Sequence, residues 1–535
     1  MNNQSDDVAA FIESHSQEYL PRTPPSDNEN GCKYLARTSN HQHQCAGTKS
    51  VNMTSVGVPS YMDKDVKCTT AIPYTLYYGT FIHTPELGKL EVLNNTLIGV
   101  NSEGYIDFIQ SDFNEDDDDP IYFFRNTYKN SGSWKHFQFY DLRDTFQFVV
   151  PGFVDTHIHA SQYPNVGVGL NIQLLDWLTK ITFPSENALG ENMSMTHQVY
   201  SKIIKKTLSC GTTCASYFTT IDQPSTTLFA NLLLQYGQRG FVGKVCMDHN
   251  PVYPDYEEDI DSCMDGMKTL IDDLERLNPS DEILVKPIVT PRFALSCTDK
   301  LLSDLGKLSK ERNLNIQTHI SENVKEVEQV KQQFPNDKNY ALVYDRHQLL
   351  TEKTILAHGV YLEQEEIDLI KQRKCSLSHC PASNTFISSG EAPIKKYLYE
   401  DDINVSLGTD VSGGFEQSIL GVLKQSILVS HHLSMKFEPK DDDKKENVKL
   451  SVADGLYMAT LGGAKAVGYG QMLGSFAVGK KFDAQLIDLD RGNIDMFSWQ
   501  HTLPWKDLIA KWVFSGDDRN CIKVWCNGRL VILKN

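Results

Sequence analysis

Four short stretches of this 535-residue chain end in side chains able to hold a metal ion. Pro151-Gly152-Phe153-Val154-Asp155-Thr156-His157-Ile158-His159 puts two imidazoles two residues apart at the end of an apolar run. In a strand such a pair faces one side, and neutral imidazole is a common zinc ligand. Leu314 to Ile320 reads as a strand with His319 at its end. Thr354 to His358 repeats the pattern, and Ile403 to Asp410 closes on Leu-Gly-Thr-Asp. His157, His159, His319 and Asp410 together offer three nitrogens and one carboxylate. Zinc accepts that set, whereas magnesium and calcium prefer oxygen shells. Zinc lowers the pKa of bound water to about 7, so the chemistry would be hydrolysis. Glu322, in His-Ile-Ser-Glu-Asn, follows the third strand end and could shuttle protons. Each residue also has a plainer reading: a histidine can cap a strand, Asp410 can cap a helix and Glu322 can open one. Four such ends in one order favour the metal.

Ligands so far apart in sequence need a scaffold that gathers strand ends. Between about 151 and 468, short apolar runs alternate with amphipathic segments such as TDKLLSDLGKLSKERN and EQEEIDLIKQRK. The candidate strands are FVVPGFVD, CASYF, VGKVCMD, ILVKPIV, LNIQTHI, TILAHG, CSLSHC and INVSLGTD. This predicts an α/β fold: a (β/α)8 TIM-type barrel with its site at the carboxyl ends of the strands. Residues 73–150 (YTLYYGTFIHT, TLIGV, YIDFIQ) and 469–535 (FDAQLIDLD, IAKWVFSG, IKVWCNGRLVIL) read as strands. They are expected to form one small β-sandwich into which the barrel is inserted.

Residues 1–72 are polar, without sustained periodicity, and are expected to be a disordered tail. Its His41-Gln42-His43 with Cys45 imitates a metal cluster but follows no strand. The acidic run Glu115 to Asp119 and the segment 438–449 read as solvated loops. The net charge of −18 argues against nucleic acid. No signal-like segment or run of ~18 apolar residues is seen, so no membrane partner is expected. Twelve scattered cysteines without a C-x-x-C pair fit reduced, cytoplasmic thiols. His249 and His431/His432 have only plain readings. His379, before Cys380-Pro381, reads as structural or as a support for the metal ligands.

These motifs resemble the amidohydrolase superfamily. Its binuclear members carry a bridging lysine at the end of the fourth strand; here that end is Thr290-Pro291-Arg292-Phe293, and Lys286 falls mid-strand. The resemblance is therefore to the mononuclear deaminases. Within them, His-Ala-Ser-Gln-Tyr (159–163), Leu-Leu-Asp-Trp-Leu-Thr-Lys (174–180), Thr-Phe-Pro-Ser-Glu (182–186), Gly-Lys-Val-Cys-Met-Asp (243–248), Lys-Pro-Ile-Val-Thr-Pro-Arg-Phe (286–293), His-Cys-Pro-Ala-Ser-Asn (379–384) and Leu-Gly-Thr-Asp-Val-Ser-Gly-Gly (407–414) look like the guanine deaminases. The resemblance implies one zinc per subunit on His157, His159, His319 and Asp410, with proton handling by Glu322 and Asp410. His358 would orient the reacting water. Guanine would meet His159, Ala160, Ser161, Gln162, Arg292, Phe293, His319, Glu322 and Asp410, and the enzyme would be a homodimer. An Arg fork can meet the O6 and N7 acceptors of guanine, Gln162 offers a donor and an acceptor, and Phe293 can stack on the ring. A deaminase or dechlorinase of another heterocycle, or a metal-free barrel serving as a scaffold, are the competing readings.

Overall fold

A computed structural model describes residues 72–114, 119–128, 136–144, 146–170, 172–278, 284–438 and 441–534. The readings of residues 1–71, including His41, His43 and Cys45, and of 115–118 lie outside them. Apolar alternation and β-branching make β1 (Tyr74–Glu86), β2 (Lys89–Val100), β3 (Ile106–Gln110), β4 (Phe137–Asp141) and β5 (Gln147–Pro151) strands. From the far end of the chain come β15 (Ala484–Asp488), β16 (Cys521–Cys526) and β17 (Arg529–Leu533). One sheet joins all eight in the order β17-β16-β15-β5-β1-β2-β3, with β4 beside β1. The junction is the antiparallel pairing of Leu486 with Val149. Tyr77, Phe482, Trp525 and Tyr140 pack its core, with Tyr77 and Phe482 stacked at 4.3 Å.

The second sheet is parallel: β6 (Phe153–His159), β7 (Thr212–Phe218), β8 (Arg239–Gly243), β10 (Val285–Pro291), β11 (Asn315–Ile320), β12 (Thr354–His358), β13 (Ser376–His379) and β14 (Val405–Leu407), in that order. The two-residue β9 (Val245–Cys246) sits beside β10. Residues just past β14 complete the circle. The Asp410 amide donates to the His157 carbonyl at 2.8 Å, and the His159 amide donates to the Val411 carbonyl at 3.1 Å. The eight-stranded barrel is therefore as expected.

Three expectations change in detail. FVVPGFVD is not one strand: β5 belongs to the mixed sheet, β6 to the barrel, and Gly152 is the crossing point. Its amide donates to the Asp483 carbonyl, while Phe153 turns to Gly211. A Cβ on Gly152 would stand 2.2 Å from Thr213 Oγ1, so no larger residue fits. IAKWVFSG lies in a helix, Trp505–Ser515, not a strand. Leu508, Ile509, Trp512 and Val513 are its buried residues, a helical spacing that a strand would split between two faces. The charged segment 438–449 contains a helix at Asp442–Val448.

TDKLLSDLGKLSKERN forms the helix Asp299–Arg312, capped by the Thr298 hydroxyl and closed by Asn313 at φ 55°. Asp119 caps the helix Pro120–Thr127. No helix among the described residues is long and apolar enough to cross a membrane. The nine cysteines among them are buried and unpaired.

Buried His83 in β1 accepts a hydrogen bond from the Phe476 amide at 3.1 Å. Burial pushes its pKa down to about 4, Lys480 and Lys89 adding and Glu91 opposing. Between pH 6.5 and 4 the unfolded chain binds a proton that the folded chain refuses, so stability falls as pH falls through that window. The loss approaches about 3 kcal/mol at its acid end. His83→Gln should flatten the dependence of Tm on pH between 6.5 and 4; an unchanged acid slope would count against this account.

Candidate metal centre and substrate cavity

Strand parity decides where the first two histidines point. Asp155 pairs with Ala215 and Ile158 with Tyr217, so three steps along β6 match two along β7. The extra residue is a β-bulge at Thr156 and His157. Before it Val154 and Thr156 face inward: Thr156 Oγ1 meets Ser378 Oγ at 2.7 Å and Ser406 Oγ at 2.8 Å. After it the inward side passes to His157 and His159. Bulges often re-aim side chains at sites in this way.

The four candidate ligands meet. One donor atom from each of His157, His159, His319 and Asp410 lies within 4.8 Å of the others. His159 Nε2 is 3.2 Å from His319 Nε2, and Asp410 Oδ1 is 3.2 Å from His157 Nε2 and 3.3 Å from His159 Nε2. Ligands about 2.0–2.1 Å from a tetrahedral ion stand roughly 3.4 Å apart. The set therefore fits one ion of zinc size. His319 Nδ1 lies 2.6 Å from the Arg292 carbonyl, which can only accept, so that nitrogen carries the hydrogen and Nε2 keeps a lone pair. Burial pulls His157 down to about 4 and His319 well below its usual value, so both are neutral, as ligands must be.

Buried Asp155, unassigned from sequence, ties this centre together. Its carboxylate accepts from the Thr409 hydroxyl at 2.6 Å and from the Thr409 and His157 amides. It thus holds the strand end bearing Asp410 against the one bearing the histidines, and burial raises its pKa to about 7. Gly408 permits the approach, since a Cβ there would stand 2.7 Å from that of His157.

Glu322 and His358 stand beside the ligands. His358 Nε2 is 3.5 Å from Glu322 Oε2 and 3.7 Å from Asp410 Oδ2, and His358 Nδ1 pairs with Asn384 Oδ1 at 2.9 Å. Burial, reinforced by Asp410 and Glu326, pushes Glu322 well above the usual carboxylate range. Burial acts on Asp410 too, but contacts with His157 and His159 hold it well below that range. Two carboxylates driven apart in this way divide into a proton donor and a proton acceptor. Glu326 fixes the Glu322 loop by accepting from the Glu322 amide at 2.9 Å and from Tyr340 Oη at 2.9 Å.

A cavity opens against the centre, lined by His159, Gln162, Arg292, Phe293, His319, Glu322 and Asp410. Ala160 and Ser161, grouped with these by resemblance, do not line it: Ser161 Oγ donates to the Thr219 carbonyl instead. Leu174, Trp177, Leu178 and Ile387 form an apolar wall that the sequence reading left without a role. Phe293 stands edge-on to His319. Arg292 does not present an unengaged fork. Its Nη1 and Nη2 donate to Glu186 at 2.6 and 3.3 Å, and Gln162 Nε2 donates to the same carboxylate at 2.9 Å. Glu186 was visible only as the last residue of Thr-Phe-Pro-Ser-Glu.

Lys286 lies over the Tyr469 ring, away from the site. Buried His379 has no hydrogen-bond partner on either ring nitrogen and belongs to none of the candidate metal clusters among the described residues. His249 lines an outer pocket that shares Leu174, Leu178 and Phe293 with the cavity, and His431 and His432 lie on the helix Ile419–Met435.

A closed parallel barrel carrying a three-histidine, one-aspartate cluster at its carboxyl rim defines a class of metal-dependent hydrolases. Residues 148–531 match the model of the amidohydrolase family. The chain belongs to that family. It is 44% identical over 462 residues to a probable guanine deaminase of Schizosaccharomyces pombe, covering 85% of this chain and 83% of that one. The human guanine deaminase is 38% identical over 462 residues, 85% and 96% of the two chains. Among solved structures, a guanine deaminase from C. acetobutylicum with guanine bound in its active site superposes with a TM-score of 0.74 at 31% identity, covering 85% of this chain and 99% of that one.

Proposed function

We propose that this protein is a guanine deaminase, hydrolysing guanine to xanthine and ammonia on one zinc ion per subunit. The observation that carries the reading is the convergence of Gln162, Arg292 and Phe293 on the cavity that also exposes Glu322 and Asp410. Relatives named for this activity along 83–96% of their own length support it.

His157, His159, His319 and Asp410 would hold the zinc, which when bound activates water as a Lewis acid. Phe293 and the apolar wall exclude solvent and cover the planar base. Arg292 and Gln162 orient its polar edges with the donors and acceptors that Glu186 leaves available. Attack at C2 requires a proton on the adjacent ring nitrogen, which Glu322, pushed toward its protonated form by burial, would deliver. Asp410, ionised, takes a proton from the attacking water, and His358 faces both carboxylates and orients that water. Asp410 then returns its proton to the C2 amino group, Glu322 regains one from the C2 hydroxyl, and collapse at C2 expels ammonia. A substrate lacking these edges leaves buried polar groups unpaired, which penalises adenine.

Pure protein incubated with guanine should release xanthine and ammonia in equal amounts, with adenine and cytosine as controls. Turnover of another heterocycle in place of guanine would overturn the reading. The 73–150, 151–468 and 469–535 division, a cytoplasmic location and a homodimer belong to the same proposal. Sizing chromatography tests the last.

A further inference from the structure

We infer that Glu186 is a positioning residue that cancels the Arg292 charge beside the substrate cavity, so that the enzyme binds a neutral base and lets its more acidic product go. The inference rests on the proposed guanine deamination. Glu186 stands behind the cavity, fully buried on the helix Phe183–Glu191, and is not one of its lining residues. It reaches the cavity through two side chains that do line it, Arg292 and Gln162. Arg292 forms a two-point ion pair with it, and both groups are buried. Gln162 is gripped at both ends. Its Nε2 donates to Glu186 Oε1 at 2.9 Å, and its Oε1 accepts from the Ser412 amide at 3.1 Å. A carboxylate can only accept and a backbone amide can only donate, so a flipped Gln162 would break both bonds. One carboxylate thereby fixes the face that Gln162 shows to a ligand and cancels the Arg292 charge.

The chemistry of the reaction gives this cancellation a use. Converting C2–NH2 to C2=O places a ring N–H between two carbonyls, so xanthine is a stronger acid than guanine. An unpaired guanidinium in a buried cavity would hold the xanthine anion; the Arg292–Glu186 pair offers it no net charge. The other titratable groups facing Glu186 include Tyr256, on the loop before the helix Ile260–Leu277, Tyr200 on the helix Met193–Ser209 and His159 on β6.

The test compares Glu186→Gln and Glu186→Asp with the unmodified protein, measuring KM and kcat for guanine and competitive inhibition by xanthine, below and above the first ionisation of xanthine. Glu186→Gln should raise KM for guanine and lower the xanthine inhibition constant at least about tenfold at the higher pH. Glu186→Asp, which keeps the charge, should lose guanine efficiency without gaining xanthine affinity, and it stands in if Glu186→Gln does not fold. Xanthine inhibition unchanged or weaker in Glu186→Gln, or tighter in Glu186→Asp, would overturn the inference. Absence of guanine turnover by the unmodified protein would instead overturn the proposed function.

Discussion

Glu322→Gln should lower kcat for guanine at least about 10³-fold while the bound metal stays at the level of the unmodified protein. The amide keeps the shape of the side chain but cannot give up and regain a proton at neutral pH. Glu322 is not in the four-residue ligand cluster; its Oε2 lies 3.5 Å from His358 Nε2. Its environment already favours the protonated form, through burial and the neighbouring Asp410 and Glu326. Metal analysis and steady-state kinetics on the same preparation separate the two quantities. A variant that keeps metal and turns over normally would remove Glu322 from proton transfer. One that loses metal would show that the carboxylate supports the ligands instead.

His159→Ala should abolish detectable turnover and weaken metal binding by more than about 100-fold. Outer-shell partners of metal ligands alone are worth about 10–100-fold in affinity, and a direct ligand exceeds that. His159 is the most telling choice, because its Nε2 stands between His319 and Asp410. His379→Ala is the control: equally buried, outside the clusters, it should leave metal content unchanged. Chelation followed by readdition of zinc should restore activity to the unmodified protein and not to His159→Ala. Full metal occupancy in His159→Ala would break the four-ligand assignment.

Composition and pattern reach far into this molecule because each motif is local. The His-x-His pair, His319 with Glu322, and Leu-Gly-Thr-Asp each sit at the end of one strand, so type and spacing are enough to mark them. Apolar runs alternating with amphipathic helices announce a parallel barrel, since each strand must be covered by the helix that follows. What the linear text withholds is parity and partnership. His157 and His159 face the lumen because a bulge at Thr156 and His157 shifts β6 by one residue, and a register is a property of two strands. Asp155 and Glu186 read as ordinary acidic residues until the fold carries Thr409 to one and Arg292 and Gln162 to the other. IAKWVFSG is β-branched and aromatic enough for a strand, yet Ile509, Trp512 and Val513 are buried together along one helical face. The sequence by itself determined which groups are available for chemistry and the barrel that gathers them. Only the tertiary structure decided which way they point and which charges they cancel, because a buried charge takes its meaning from partners more than a hundred residues away.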